Sequence, residues 1–263
     1  MTTDGSDGPH TRLFLVRHCD VFNPQGVLYG HLPGFRLSER GIRQAHSLGR
    51  RLATEPIRQI YTSPLQRAQE TAAIIASYLP GVEVTTTDEL LEARFGKYLE
   101  GVKPRDVIWR RPLWVVHMLR PGLLRRDETV ARMSARVQAP IDRLLRDHPG
   151  EAGVCISHGD PIQAFWVKAD GRSDFALHRL ECMKGGMLTL DYEGRRLAGK
   201  TYSPPEEVDE ADLPDPPLPP LPVSRSPGAD GALAPPPAPT TASSRSGSPA
   251  SLPAASPSSP GGG

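Results

Sequence analysis

Apolar residues in this chain follow two alternating rhythms. Continuous runs such as Leu13-Phe14-Leu15-Val16 and Val154-Cys155-Ile156 have the pattern of parallel strands buried on both faces. Between such runs, apolar positions recur every three or four residues, as on the inward face of a helix. Ser38 is placed to cap a helix whose inner face is Ile42, Ala45, Leu48 and Leu52. Gln59 to Thr62 and Val82 to Thr86 are short strands. Between them Ser63, with Pro64 and Gln66 behind it, has a capping-box spacing, opening a helix with the stripe Leu65, Ala68, Ala72, Ile75 and Leu79. Val130, Met133, Val137, Ile141 and Leu144 mark a helix over 127–147, with a kink expected at Pro140. A further helix opens at Pro161. Gly186 to Tyr192 and Arg196 to Tyr202 form a closing hairpin across Glu193-Gly194. Strands alternating with helices predict an α/β three-layer sandwich, a mostly parallel central sheet with helices on both faces.

Two of the predicted strands stop at a histidine: the first at Arg17-His18, the other at Ser157-His158. In open α/β sheets ligands bind beyond the carboxyl ends of the strands. Both imidazoles, and an arginine beside the first, therefore converge on one edge. That combination points to phosphate chemistry, because guanidinium forks match phosphate oxygens and a neutral imidazole is a nucleophile.

Five segments in order resemble the histidine phosphatase superfamily, the phosphoglycerate-mutase-like enzymes, in its phosphatase branch. They are Arg17-His18, Leu37 to Ala45, Ser63 to Ala72, Leu91-Glu92 with Phe95-Gly96 and Glu100-Gly101, and Ser157-His158-Gly159. The resemblance covers roughly residues 12–202. It implies His18 as a nucleophile that becomes phosphohistidine and Glu92 as the acid that protonates the leaving oxygen, with Glu89 and Glu100 as nearby alternatives. It also implies Arg17, Arg67 and a protonated His158 as the positive surround of the phosphate. Asn23 and Gly159 complete the implied substrate-binding set, although Asn23 is one residue off the commonest spacing. The implied activity is metal-independent hydrolysis of a small phosphorylated metabolite, with no cofactor.

Two positions depart from the family pattern. Cys19 stands where Gly or Ala is usual and is expected either to pack harmlessly or to crowd and sensitise the site. Asp127 precedes Glu128-Thr129 where many members have Gly. The basic and aromatic insert over 102–126 is implied to cover the site, without naming a substrate. Three other readings compete: a mutase moving phosphate between hydroxyls, a two-metal phosphoesterase built on His18-x-Asp20 and His158-x-Asp160, and a non-catalytic pseudophosphatase whose proline-rich tail recruits a partner.

Composition narrows the setting. The 263 residues carry 31 basic and 30 acidic side chains, so no global field favours nucleic acid. No apolar run reaches the roughly 18 to 20 residues of a membrane span, and Met1 to Pro9 lacks the apolar core of a signal peptide. Three cysteines make no disulfide framework, which favours a reduced cytoplasm. Residues 1–11 are expected to be flexible, 12–202 to form the catalytic domain, and 203–263, rich in Pro, Ala, Ser and Gly, to be disordered. Within that tail the stretch over 216–222 favours polyproline II, a docking peptide for a protein partner.

Overall fold

The first strand, His10–Arg17, takes the centre of the sheet because its side chains alternate between two apolar surfaces. In a computed structural model that describes residues 8–94, 99–110, 112 and 128–213, it is β1. The others are β2 (Ile57–Thr62), β3 (Glu83–Thr86), β4 (Ala152–Ser157), β5 (Met187–Glu193) and β6 (Arg196–Ser203), in the order β3-β2-β4-β1-β5-β6. β1 to β4 pair in parallel, and β5 runs antiparallel to both β1 and β6. Phe14, Val16, Val154 and Ile156 join one core with helices α1 (Glu39–Leu52) and α2 (Gln66–Ala76). Leu13, Leu15 and Cys155 point the other way, into a second core with α3 (Val130–Asp147) and α4 (Gly159–Ala169). The three-layer α/β sandwich predicted from the apolar rhythm is the fold found. Each fully buried aliphatic side chain contributes about 1.5–3 kcal/mol.

The register of β1 on β4 positions the chemistry. Leu15 lies opposite Cys155 and Arg17 opposite Ser157. The ladder runs one residue further, with the His18 N–H donating to the Ser157 carbonyl at 2.9 Å. Both histidines therefore leave the sheet at the same level.

The helix starts show where local signals held and where tertiary contacts overrode them. Ser38 caps α1 as predicted, its Oγ accepting from the Gly41 N–H at 3.0 Å. Gly41 lets that first turn lie on the Asp20 backbone: a Cβ there would sit 2.0 Å from the Asp20 carbonyl oxygen. The capping box at Ser63 does not form. α2 begins at Gln66 behind Leu65, without a side-chain cap; the Ser63 hydroxyl accepts instead from the Leu65 N–H at 3.3 Å and from His158. α3 runs as one helix from Val130 to Asp147 across Pro140.

The sequence-derived boundaries shift at both ends. His10 and Thr11, expected to be flexible, pair with Glu193 and Tyr192 as the start of β1. β6 continues to Ser203, and the chain beyond it lies along α1. Arg51 donates to Ser203 Oγ at 3.0 Å, Arg40 to Glu207 at 2.7 Å, and Arg50 pairs with Asp212 at 3.6 Å. The proline-rich stretch over 216–222, Asp127, Phe95-Gly96 and most of the 102–126 insert lie outside the described residues.

Candidate active site

At the carboxyl edge of β1 and β4, backbone carbonyls hold His18 and Arg17, and side chains hold His158. His18 is fully buried. Its Nδ1 lies 2.8 Å from the Cys19 carbonyl oxygen. A carbonyl only accepts, so Nδ1 carries the proton and Nε2 carries the lone pair. Nε2 is buried without a hydrogen-bond partner among the described residues. Burial, then the charges of Arg67 and Arg17, push the imidazole well below its ordinary value of 6.5. His18 is therefore a neutral ring with a free lone pair at ordinary pH.

His158 is neutral for a different reason. Its Nδ1 lies 3.2 Å from an Arg67 terminal nitrogen, and guanidinium only donates, so Nδ1 is the acceptor. The proton sits on Nε2, which donates to Ser63 Oγ at 2.8 Å. Burial and then Arg67 push this imidazole down as well. The expectation of a protonated His158 acting as a third cation does not match this arrangement, because Arg67 already fills the place that a proton would take. The two imidazole rings stand 5.1 Å apart, centroid to centroid.

The positive charge comes from Arg17 and Arg67. Arg67 is only 1 % exposed although it carries a full charge. It donates to the Gly30 carbonyl at 2.9 Å and lies 4.7 Å from the centre of the Tyr29 ring. Arg17 donates to the Cys182 carbonyl and packs on Gly159, where a Cβ would meet its guanidinium carbon at 3.2 Å. The Nε atoms of both arginines are buried without a partner among the described residues. Buried donors are almost always paired in a native protein, so these two mark a surface suited to oxygen acceptors, beside the bare lone pair of His18 Nε2.

Among the acidic candidates the structure separates three roles. Glu92 Oε2 lies 4.0 Å from His158 Nδ1, while Oε1 accepts from the Ala93 N–H at 2.9 Å. Glu89 is held by Arg143. Glu100 accepts from the His31 N–H at 2.8 Å and so anchors the loop that carries Tyr29 and Gly30. Asn23 is not with this group: its amide donates to the Val27 carbonyl at 2.8 Å and accepts from the Val27 N–H at 3.2 Å, closing its own loop.

Cys19 is fully buried in the core between β1 and α1. Burial pushes its thiol up to about 12, the opposite of the sensitised thiolate that neighbouring cations suggested. Its N–H donates to Thr71 Oγ1 at 3.1 Å.

Several contacts of this site cannot be read from the sequence. His31 donates to the Glu92 carbonyl at 3.0 Å. Ser63 Oγ accepts from His158 Nε2, whose tautomer Arg67 sets. Asp160 stands at the start of α4, 4.0 Å from His178, and burial and then Glu92 raise its carboxyl to about 7 against the pull of Arg17. Of the two carboxylates in the two-metal reading, Asp20 accepts from Lys184 at 2.8 Å and from Ser38 at 2.8 Å, while Asp160 stays near Glu92 and Arg17. Among the described residues no three His, Cys, Asp or Glu side chains converge as a metal-ligand set.

A family model described as "Histidine phosphatase superfamily (branch 1)" matches residues 13–203. The chain belongs to the histidine phosphatase superfamily. A superfamily member of this kind has relatives with both phosphatase and mutase names. The uncharacterized protein Rv0525 of Mycobacterium tuberculosis is 35% identical over 198 residues, covering 74% of this chain and 96% of that protein. "Probable phosphoglycerate mutase GpmB" of Yersinia enterocolitica is 28% identical over 187 residues, covering 69% and 85%. The solved alpha-ribazole phosphatase of Shigella flexneri is 26% identical with a TM-score of 0.59, covering 71% and 95%. No helix among the described residues is long and apolar enough to cross a membrane.

Proposed function

We propose that this superfamily member is a phosphomonoester hydrolase that works through a phosphohistidine on His18 Nε2 and needs no metal. The observation that carries the reading is the His18 tautomer. With Nδ1–H committed to the Cys19 carbonyl, the only lone pair on the ring is the buried, unpartnered Nε2, flanked by two guanidinium groups.

The chemistry then runs in two balanced steps. In the first, Nε2 attacks phosphorus, the ester P–O bond breaks, and the leaving oxygen takes the proton of Glu92 in its acid form. Arg17 and Arg67 hold the equatorial oxygens, where charge is spread in the transition state. In the second, Glu92 as carboxylate takes a proton from water, whose oxygen attacks phosphorus while the P–N bond breaks. Inorganic phosphate leaves and Glu92 regains its acid form. Two guanidinium groups supply positive charge at these oxygens, which supports chemistry that does not route through a divalent ion.

Two features favour hydrolysis over mutase transfer. The sequence after the acidic loop does not resemble the longer mutase insertion, and the alpha-ribazole phosphatase is among the structural neighbours. Acid-quench trapping with labelled substrate tests the proposal. Label is expected on the wild type, stable in alkali and lost in acid as a phosphoramidate is, and absent from His18→Ala. Turnover in that variant is expected to fall by about 10⁴-fold or more. Activity abolished by EDTA, restored by a divalent metal and accompanied by no trapped phosphoenzyme would overturn it.

A further inference from the structure

One cation at the site takes no part in the mechanism above. Lys184 lies in the loop that leads into β5, and the next residue, Gly185, is bound to the catalytic strand end. The Gly185 N–H donates to the Arg17 and His18 carbonyls, at 3.2 and 3.1 Å. That turn requires a φ of +77°, which glycine adopts without strain. The Lys184 ammonium donates to Asp20 at 2.8 Å and sits 5.9 Å from the Tyr29 ring centre. Tyr29 in turn lies 6.4 Å from the His18 ring and carries Arg67 at 4.7 Å.

Exposure separates the two cations that share Tyr29. Arg67 is 1 % exposed and belongs to the floor with the histidines. The Lys184 and Asp20 side chains keep 31% and 28% of their surface and belong to the rim. A phosphate held by the floor places its leaving group outward, toward that rim. An ammonium is a compact point charge with three donors, so it can exchange one anionic partner for another without rebuilding the loop. Asp20 is held independently by the Ser38 hydroxyl, and its backbone N–H by Gln44 at 2.9 Å, so it stays in place when the ammonium moves.

The geometry points to Lys184 as the specificity-determining residue for a second anionic group on the leaving group, with Asp20 as its internal competitor. The proposal rests on the phosphatase reading for which end of the substrate faces the rim. A neutral leaving group leaves the Lys184–Asp20 pair intact and gains nothing from it. A leaving group that carries a carboxylate or a second phosphate takes the ammonium from Asp20.

Matched esters test this. 3-Phosphoglycerate and glycerol 3-phosphate differ only in a carboxylate against a hydroxymethyl group. Fructose 1,6-bisphosphate and fructose 6-phosphate differ in a second phosphate. Selectivity within each pair is read twice, as the ratio of kcat/KM on the wild-type background and as the ratio of affinities on the His18→Ala background by calorimetry. Lys184→Met is expected to lower the anionic-over-neutral ratio about tenfold in at least one pair, the effect of one charge-assisted contact. Lys184→Arg is expected to restore most of it, and Asp20→Asn to raise it several-fold. The pair that responds identifies the anion as carboxylate or phosphate. Ratios unmoved by Lys184→Met in both pairs, or equal losses on both members of each pair, overturn the proposal. The binding arm keeps it separate from the catalytic reading: Lys184-dependent selectivity without turnover sinks the hydrolase and leaves the rim assignment standing.

Discussion

Arg67 donates to Nδ1 of His158 across 3.2 Å, and that contact fixes the state of both groups. The histidine is held neutral because its acceptor site is filled, and the arginine is aimed because one fork position is taken. Arg67 also reaches the Gly30 carbonyl, so a single buried guanidinium ties the loop carrying Tyr29 and Gly30 to the second histidine.

Arg67→Lys keeps the charge but not this geometry. One ammonium has no planar fork with which to serve Gly30, His158 and a phosphate oxygen together. kcat/KM on p-nitrophenyl phosphate is expected to fall by 10²-fold or more, on the order of the loss when one preorganised donor is removed. The circular-dichroism spectrum should stay native. A loss below about fivefold would show that charge alone suffices.

Stability should fall on the acid side because of the two histidines. Burial and the arginines depress both imidazoles in the folded state below the ordinary 6.5. Below that pH the unfolded chain binds more protons than the folded one, so stability rises with pH and is lost as pH falls. Asp160 acts in the opposite sense: a carboxyl raised to about 7 favours the folded state below that pH. The contributions are separable by comparing slopes. Tm measured from about pH 7 down to about pH 4.5 should fall less steeply in His18→Gln than in the wild type. Parallel slopes would contradict the buried neutral imidazole.

Cys19 should prove structural. Its thiol is buried and raised to about 12, so peroxide and iodoacetamide should leave the native activity unchanged. Cys19→Gly removes core contacts and loosens the backbone whose carbonyl orients His18. It is expected to lower stability by about 1–3 kcal/mol in urea unfolding, with turnover reduced. Faster turnover in the glycine variant would restore the crowding explanation.

Two truncations distinguish the acidic segment on α1 from the chain beyond it. Ending the protein after Tyr202 removes Ser203, Glu207 and Asp212 from Arg51, Arg40 and Arg50, and Tm should fall by a few degrees. The loss should shrink in high salt, because these pairs are exposed and screened. Ending it after Leu213 keeps those contacts and should leave Tm unchanged. Equal Tm for both truncations at low salt would show that the segment contributes nothing.

The sequence by itself determined what depends on local pattern. The doubled apolar rhythm of β1 and β4 specified strands buried on both faces, because alternate side chains there meet two helix layers. The strand-end histidines, with Arg17 beside one of them, were legible because parallel strands deliver their carboxyl ends to one edge. Ser38 was legible as a cap because its partner, Gly41, is three residues away. Tertiary structure decided everything that rests on partners far apart in the chain. Ser63 carries a strong local helix-start signal, yet its hydroxyl serves His158, 95 residues on. The protonation of His158 depends on Arg67, 91 residues before it. Asn23 has the residue type for phosphate binding, but its amide closes on Val27 within its own loop. Lys184 and Asp20, 164 residues apart, meet only because a glycine turn pins the β5 loop to the end of β1. Residue type and periodicity report which groups are available; burial and hydrogen-bond geometry, set by the assembled sheet, fix the state in which each one works.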